Sequence, residues 1–173
     1  LTGTLTVDGV ISVNGVDGDN GGGTYGGGGG AGGSIWLEAA TLAGAGTIRA
    51  NGGLGPGTSY TSGGGGGGRV AIYYTNSTFT GAVTAYGGVA NSATTNYGGA
   101  GTVYLKPASA DGAVILDNNS QAGGRTQVDL SESYAITSFS ILGQARAQLL
   151  NNQVMTIGDL TISSTGSIDH VGL

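Results

Sequence analysis

Cysteine is absent from the 173 residues, so no disulfide and no thiolate metal site can be built. Charge is sparse as well: 9% of residues are charged, against about a quarter in ordinary soluble domains. The basic residues are Arg49, Arg69, Lys106, Arg125 and Arg146, dispersed along a chain of net charge −5, which leaves nucleic-acid binding without electrostatic support. His170 is the only histidine. A Ser–His–Asp arrangement or a histidine metal site would rest on it alone, so a surface or packing role is expected. No apolar run approaches the roughly 18 residues needed to cross a membrane. Helical periodicity is missing throughout. Most acidic residues sit in turn-like contexts such as VDGV and ADGA, where Asp caps its own backbone rather than pairing with a second acid. No catalytic residues are expected, and the chain does not read as an enzyme.

What is abundant is glycine, at 39 residues. The glycines do not fall at every third position, which excludes collagen. Of the 39, 32 lie in residues 1–101. Between the glycine runs stand short alternating segments rich in Val, Ile and Leu, enough to build a core.

These segments recur. LTVDGVISVNG (5–15), LAGAGTIRANG (42–52), FTGAVTAYGG (79–88) and SADGAVILDNN (109–119) form one series. SIWLEA (34–39), RVAIYY (69–74), TVYLKP (102–107) and TQVDLS (126–131) form a second, and ITSFSIL (136–142) with MTIGDLTI (155–162) a third. Ile35, Val70 and Val103 mark one point of the repeat at spacings of 35 and 33. Repeats of this length with about three short strands each predict a right-handed parallel β-helix, a β-solenoid, of about five coils. Residues 1–107 carry glycine-rich excursions, and 108–173 read as plain coils of the same solenoid.

The glycine runs fall at matching places: GGGTYGGGGGAGGSI (21–35), GTSYTSGGGGGGRV (57–70) and NYGGAGTV (96–103). Strands stack about 4.8 Å apart, and side-chain-free segments tolerate that approach on every side. The pattern predicts a fin of stacked, polyglycine II-like loops ordered by backbone hydrogen bonds, with Tyr25, Tyr60 and Tyr97 as a clamping row.

At GGSIWLEAATLAGAGTIRANGG and GGGGGGRVAIYYTNSTFTGAVTAYGG the chain resembles the glycine-rich β-helical repeats of very large secreted bacterial surface proteins, adhesin-like or fibre-forming. The resemblance covers about residues 1–107. It implies an extracellular structural or adhesive role and carries no catalytic residues with it. The terminal segments GTLTVDGVISVNG and DLTISSTGSIDHVG resemble each other and offer no polar cap, so continuation is expected, by a further copy stacked head to tail or by more of the same fibre.

Two candidate sites remain. Trp36, Tyr73 and Tyr104 are expected on the outer face of aligned strands, flanked by Glu38 and Lys106, where rings can stack on sugars; the alternative is that the glycine fin or another subunit covers them. Asp17, Asp19 and Asn20 in VDGDNGG offer oxygen ligands for calcium, the alternative being an Asx-rich turn. N-x-S/T motifs occur at Asn76 and Asn118. Threonine ladders of the ice-binding kind do not recur in register. The expected function is a structural subunit or repeat of an extracellular bacterial fibre or adhesin, with a glycan-binding module as the alternative.

Overall fold

The computed structural model describes residues 3–19, 26–56, 62–90, 96–128, 136–149 and 156–170. Among these residues all regular structure is β-strand. The strands are β1 (Thr4–Thr6), β2 (Val10–Ser12), β3 (Ser34–Ala43), β4 (Thr47–Arg49), β5 (Arg69–Ser77), β6 (Ala82–Thr84), β7 (Thr102–Pro107), β8 (Gly112–Asp117), β9 (Arg125–Val128), β10 (Ile136–Leu142), β11 (Arg146–Leu149), β12 (Ile157–Ile162) and β13 (Ser167–His170).

Aligned aliphatics set the register of the first half. Ile35 pairs with Val70 and Val70 with Val103, all three buried, in the parallel series β1-β3-β5-β7. A parallel sheet β2-β4-β6 covers it, with Ile11 opposite Ile48 and Ile48 opposite Val83. Between the two lies a core that includes Val7, Leu42, Ile48 and Ile72.

The continuous right-handed parallel β-helix expected from the repeats is not what forms. The seven-stranded sheet is mixed: β7 and β8 pair antiparallel, Val103 opposite Ile115 and Leu105 opposite Ala113, and β8-β10-β12 then run parallel to one another. The segment 112–117, expected to join the series containing β2, β4 and β6, lies in the large sheet. Of the segment TQVDLS, residues 126–128 lie in β9, in a separate three-stranded sheet, β13-β11-β9, and the remainder lies outside the described residues. The physical cause is the short turn after Pro107. A few residues suffice for an antiparallel return, whereas a parallel crossover needs a dozen or more.

The reversal changes which face is covered. Directly opposed residues on paired strands share a face and successive residues alternate. Ile115, opposite Val103, packs on the first core, while Val114 and Leu116 belong with Phe139, Ile141, Ala145 and Ala147 in a second. The two cores therefore lie on opposite faces of one sheet.

The glycine-rich segments form a backbone lattice beside the first core. Outgoing rows (13–18, 50–55, 85–89) bond to each other through pairs such as Gly15 N–H to the Asn51 carbonyl at 2.8 Å, and returning rows through Gly32 N–H to Gly66 at 2.9 Å. The layers are joined by a one-way chain of five bonds. Gly98 donates to Gly88, Gly88 to Gly65, Gly65 to Gly53, Gly53 to Gly30 and Gly30 to Val16, at 2.7–3.0 Å. None of these glycines has a left-handed φ. They are required for the space a side chain would take: a Cβ on Gly65 would stand 1.9 Å from the Gly30 carbonyl oxygen. Asx side chains extend the lattice, Asn14 Oδ1 accepting from Asn51 N–H and Asn51 Oδ1 from Tyr86 N–H, each at 2.9 Å. Asn118, fully buried, ties the two halves together. Its Oδ1 accepts from Gly87 N–H at 2.8 Å, and its Nδ2 donates to the carbonyls of Gly98 and Gln121 at 3.0 and 2.7 Å. That burial removes Asn118 as a glycosylation acceptor; Asn76 is exposed.

Gly65→Ala is expected to lose about 2 kcal/mol or more of stability, since the lattice has to open around the methyl group. Gly9→Ala, with nothing within 4 Å of its Cβ, is expected to be neutral or to gain up to about 1 kcal/mol. Urea unfolding midpoints of the two variants check this. Asn118→Ala orphans the Gly87 donor and two carbonyls, and is expected to cost about 2–4 kcal/mol in the same measurement.

Candidate functional site

On the outer face of the large sheet, opposite the first core, Trp36 on β3 is in register with Ala71 on β5 and Tyr104 on β7. Tyr73 lies two residues beyond Ala71 and so faces the same way. The rings meet. Trp36 stacks on Tyr73 with centroids 4.5 Å apart and planes at 29°, and Tyr73 meets Tyr104 edge-on at 5.8 Å. Trp36 remains 64% exposed, its Nε1 donating to Glu38 Oε1 at 3.0 Å. Lys106 on the same face donates to the carbonyls of Pro107 and Ala110, which staples the turn before β8. Gly112 leaves room for the Tyr104 ring, which a Cβ there would meet at 2.1 Å.

The same face continues towards the glycine rows. Ser34, Arg69 and Thr102 stand in register two residues before Trp36, Ala71 and Tyr104. With residues 31–33, 66–68 and 99–101 they floor an open groove of about 510 Å³. Its wall comes from the second half of the chain: Arg125, Thr126 and Gln127 of β9 and Gln148 of β11. The groove exists because the second core lies on this face, so its covering sheet stands up beside the uncovered outer surface of β3, β5 and β7. Glycine lines the floor, which leaves backbone rather than side chains at its base.

Arginines that are distant in sequence gather here. Arg125 and Arg146 are opposite each other on β9 and β11, and both reach Asp169 Oδ2 on β13, Arg125 through Nε at 2.7 Å and Arg146 through Nη2 at 2.8 Å. The Arg125 hydrogen bond, with further help from Arg146, holds the Asp169 carboxyl below the usual carboxylate range. Arg69 is exposed, and among the described residues its guanidinium has no bonded partner. Among the described residues, the groove lining contains no carboxylate and no histidine. These basic residues are dispersed along the sequence, and the fold brings them together. The clue to this in the sequence is the alignment of Arg69 with Ser34 and Thr102, which fixes the face on which Arg69 points.

The other expected site residues are placed as follows. Asp17 Oδ1 accepts from Leu54 N–H at 2.7 Å, so this carboxylate is a rung of the lattice, and the Asp19 carbonyl accepts from Gly27 N–H at 2.8 Å. Asn20 lies outside the described residues, and among those described no group of three or more His, Cys, Asp or Glu is placed to hold a metal ion. Tyr97 bridges to Gly123 across the joint between the halves. Tyr25 and Tyr60 lie outside the described residues. His170 ends β13.

A carboxyl whose folded pKa is depressed contributes stability above its unfolded value, about 3.9, and that contribution disappears as pH falls through the folded value. Wild type is therefore expected to exceed Asp169→Asn in thermal midpoint by a constant margin above about pH 5, with the margin vanishing below the ordinary Asp range. Melting curves on both proteins between neutral and strongly acidic pH read this out.

Comparison with protein-family models, curated proteins and solved structures finds no match to this chain.

Proposed function

We propose that this chain is a structural segment of an extracellular bacterial fibre or surface adhesin, extended by strand addition at its two outermost rungs. The supporting observation is that both outermost rungs present an open strand edge together with apolar side chains. Among the described residues, β1 pairs only with β3, and β12 only with β10. At the β1 end, Val10 on β2 and Val16 in the row after it are 61% and 81% exposed, and Leu160 and Ile162 on β12 are 50% and 43% exposed. Open edges of this kind are templates for another strand, whether from more of the same polypeptide or from a second copy. The extracellular assignment rests on the low charge, the glycine, threonine and serine content, and the resemblance of residues 1–107 to secreted surface repeats.

Strand direction adds a constraint. β1 runs opposite to β12, because direction reverses once, at β7–β8. Copies stacked head to tail would therefore join antiparallel, repeating the geometry already present inside the chain. Such a contact is heterologous and does not close, so it gives filaments rather than rings.

A second reading, a glycan-binding surface, is favoured by the Trp36–Tyr73–Tyr104 cluster. Three mutually packed rings on an exposed face beside a polar groove supply the apolar platform that sugar rings stack on.

For the first reading, the purified chain is expected to form fibres in electron micrographs across a concentration series. Leu160→Lys/Ile162→Lys is expected to abolish them while leaving a cooperatively folding monomer whose thermal midpoint is lowered, because both side chains stand in register with the core residues Phe139 and Ile141. Discrete wild-type monomers at every concentration would overturn self-assembly.

A further inference from the structure

We propose that the corner between the outer face of β3-β5-β7 and the β9-β11 wall is a binding site for an acidic oligosaccharide, with a sugar carboxylate on Arg69 and a neighbouring sugar ring on Trp36 and Tyr73. This rests on the glycan-binding reading above and adds the ligand class and the residues that select it.

Charge is the first ground. The protein carries −5 overall, yet two of its five basic residues line this groove, whose described lining residues include no carboxylate, and a third, Arg146, stands at its wall. Asp169 neutralises one charge of the Arg125–Arg146 pair and Glu38 adds one negative charge at the Trp36 end, so with Arg69, which has no bonded partner among the described residues, the corner stays net positive. A guanidinium matches a carboxylate through two parallel N–H donors, which makes Arg the residue that best holds such a group in one orientation.

Geometry is the second. Arg69 and the Trp36–Ala71–Tyr104 line are two residues apart along β5, about 7 Å at the rise of a strand. Adjacent units of a short sugar chain can therefore touch both. The remaining lining is of the right chemistry for hydroxyl groups: the hydroxyls of Ser34 and Thr102, the amides of Gln127 and Gln148, and glycine backbone. Nucleic acid fits less well, because its affinity needs many phosphate contacts and the rest of the chain repels a polyanion.

The test is isothermal titration of the intact chain with a tetramer of galacturonate and with a neutral tetramer of glucose, at low and moderate salt. The acidic sugar is expected to bind at least tenfold more tightly, with the preference shrinking as salt rises. Arg69→Gln is expected to lower acidic-sugar affinity about tenfold and remove the preference, with the thermal midpoint unchanged because the side chain is exposed. Trp36→Ala is expected to weaken both sugars. Equal wild-type affinity for the two sugars, or an Arg69→Gln variant that keeps the preference, would overturn the acidic ligand while leaving the platform reading intact. Binding of neither sugar would overturn both. Binding of inorganic sulfate alone, unaffected by Trp36→Ala, would reduce the corner to a simple anion site and also overturn the proposal.

Discussion

The close approach of backbone to backbone in the glycine rows is the constraint on which the rest depends. Residues of the inner rows, such as Gly65 and Gly53, have backbone neighbours on more than one side, and at these positions the gap between layers is filled by amide and carbonyl groups. A hydrogen bond between two such groups nets only about 1 kcal/mol, and ordering a glycine costs more conformational entropy than ordering any other residue. The lattice therefore holds because its bonds are many and satisfy backbone groups on both sides of a row: Gly98, Gly88, Gly65, Gly53 and Gly30 each donate to the next layer, and all but Gly98 also accept from the layer before, the series ending on the Val16 carbonyl. The returning rows then deliver the chain to the large sheet in register. Arg69 N–H donates to the Gly33 carbonyl at 2.9 Å and Thr102 N–H to Gly68 at 3.0 Å, so the lattice sets the level at which β5 and β7 begin. Any side chain placed later on that face, Arg69 and Tyr104 included, inherits its position from this hand-over.

The second organising event is the reversal between β7 and β8. Parallel crossovers are strongly right-handed. If that hand is kept while strand direction flips, the covering layer must pass to the other face of the sheet, and the division of Ile115 and Val114 between two cores is what this requires. The consequence is a step. The sheet that covers the second core ends beside an uncovered stretch of the first half, and the concave corner so formed is a feature neither half has alone. Asn118 stabilises the junction with three hydrogen bonds from one buried side chain, each to backbone that belongs to the lattice or its margin.

Much of the first half was legible in the sequence because alternation and spacing are local signals. Ile35, Val70 and Val103 align at equivalent points, and the structure pairs them. Strand direction was not legible, since an alternating pattern reads the same in both directions. GAVILD and TQVDLS both look like strands with one apolar face, and nothing in either says which sheet receives it. The lattice roles of Asn14 and Asn51 carried a usable signal, an Asn-Gly pair repeated 37 residues apart, but the same pair is also an ordinary turn signature. The groove was hidden for a different reason. Arg69 and Arg125 are far apart in sequence, and their convergence depends on the reversal that sequence pattern does not encode.

A backbone lattice, an aromatic face and an arginine corner follow from one economy of side chains. Where glycine removes side chains, backbone packs on backbone, and the residues at the rim of the rows stand against a bare floor. In such a setting a few large groups shape the surface: one exposed indole, two tyrosines and a guanidinium, with Glu38 and Lys106 at their side, stand over a glycine floor. The same bareness explains the exposed edges. Low charge and short side chains leave β1 and β12 without the lysines, prolines or bulges that ordinarily block strand addition. Extension along the stack and recognition across its face are therefore compatible roles, because they use perpendicular surfaces: the first uses the outermost rungs, the second a corner formed midway between them.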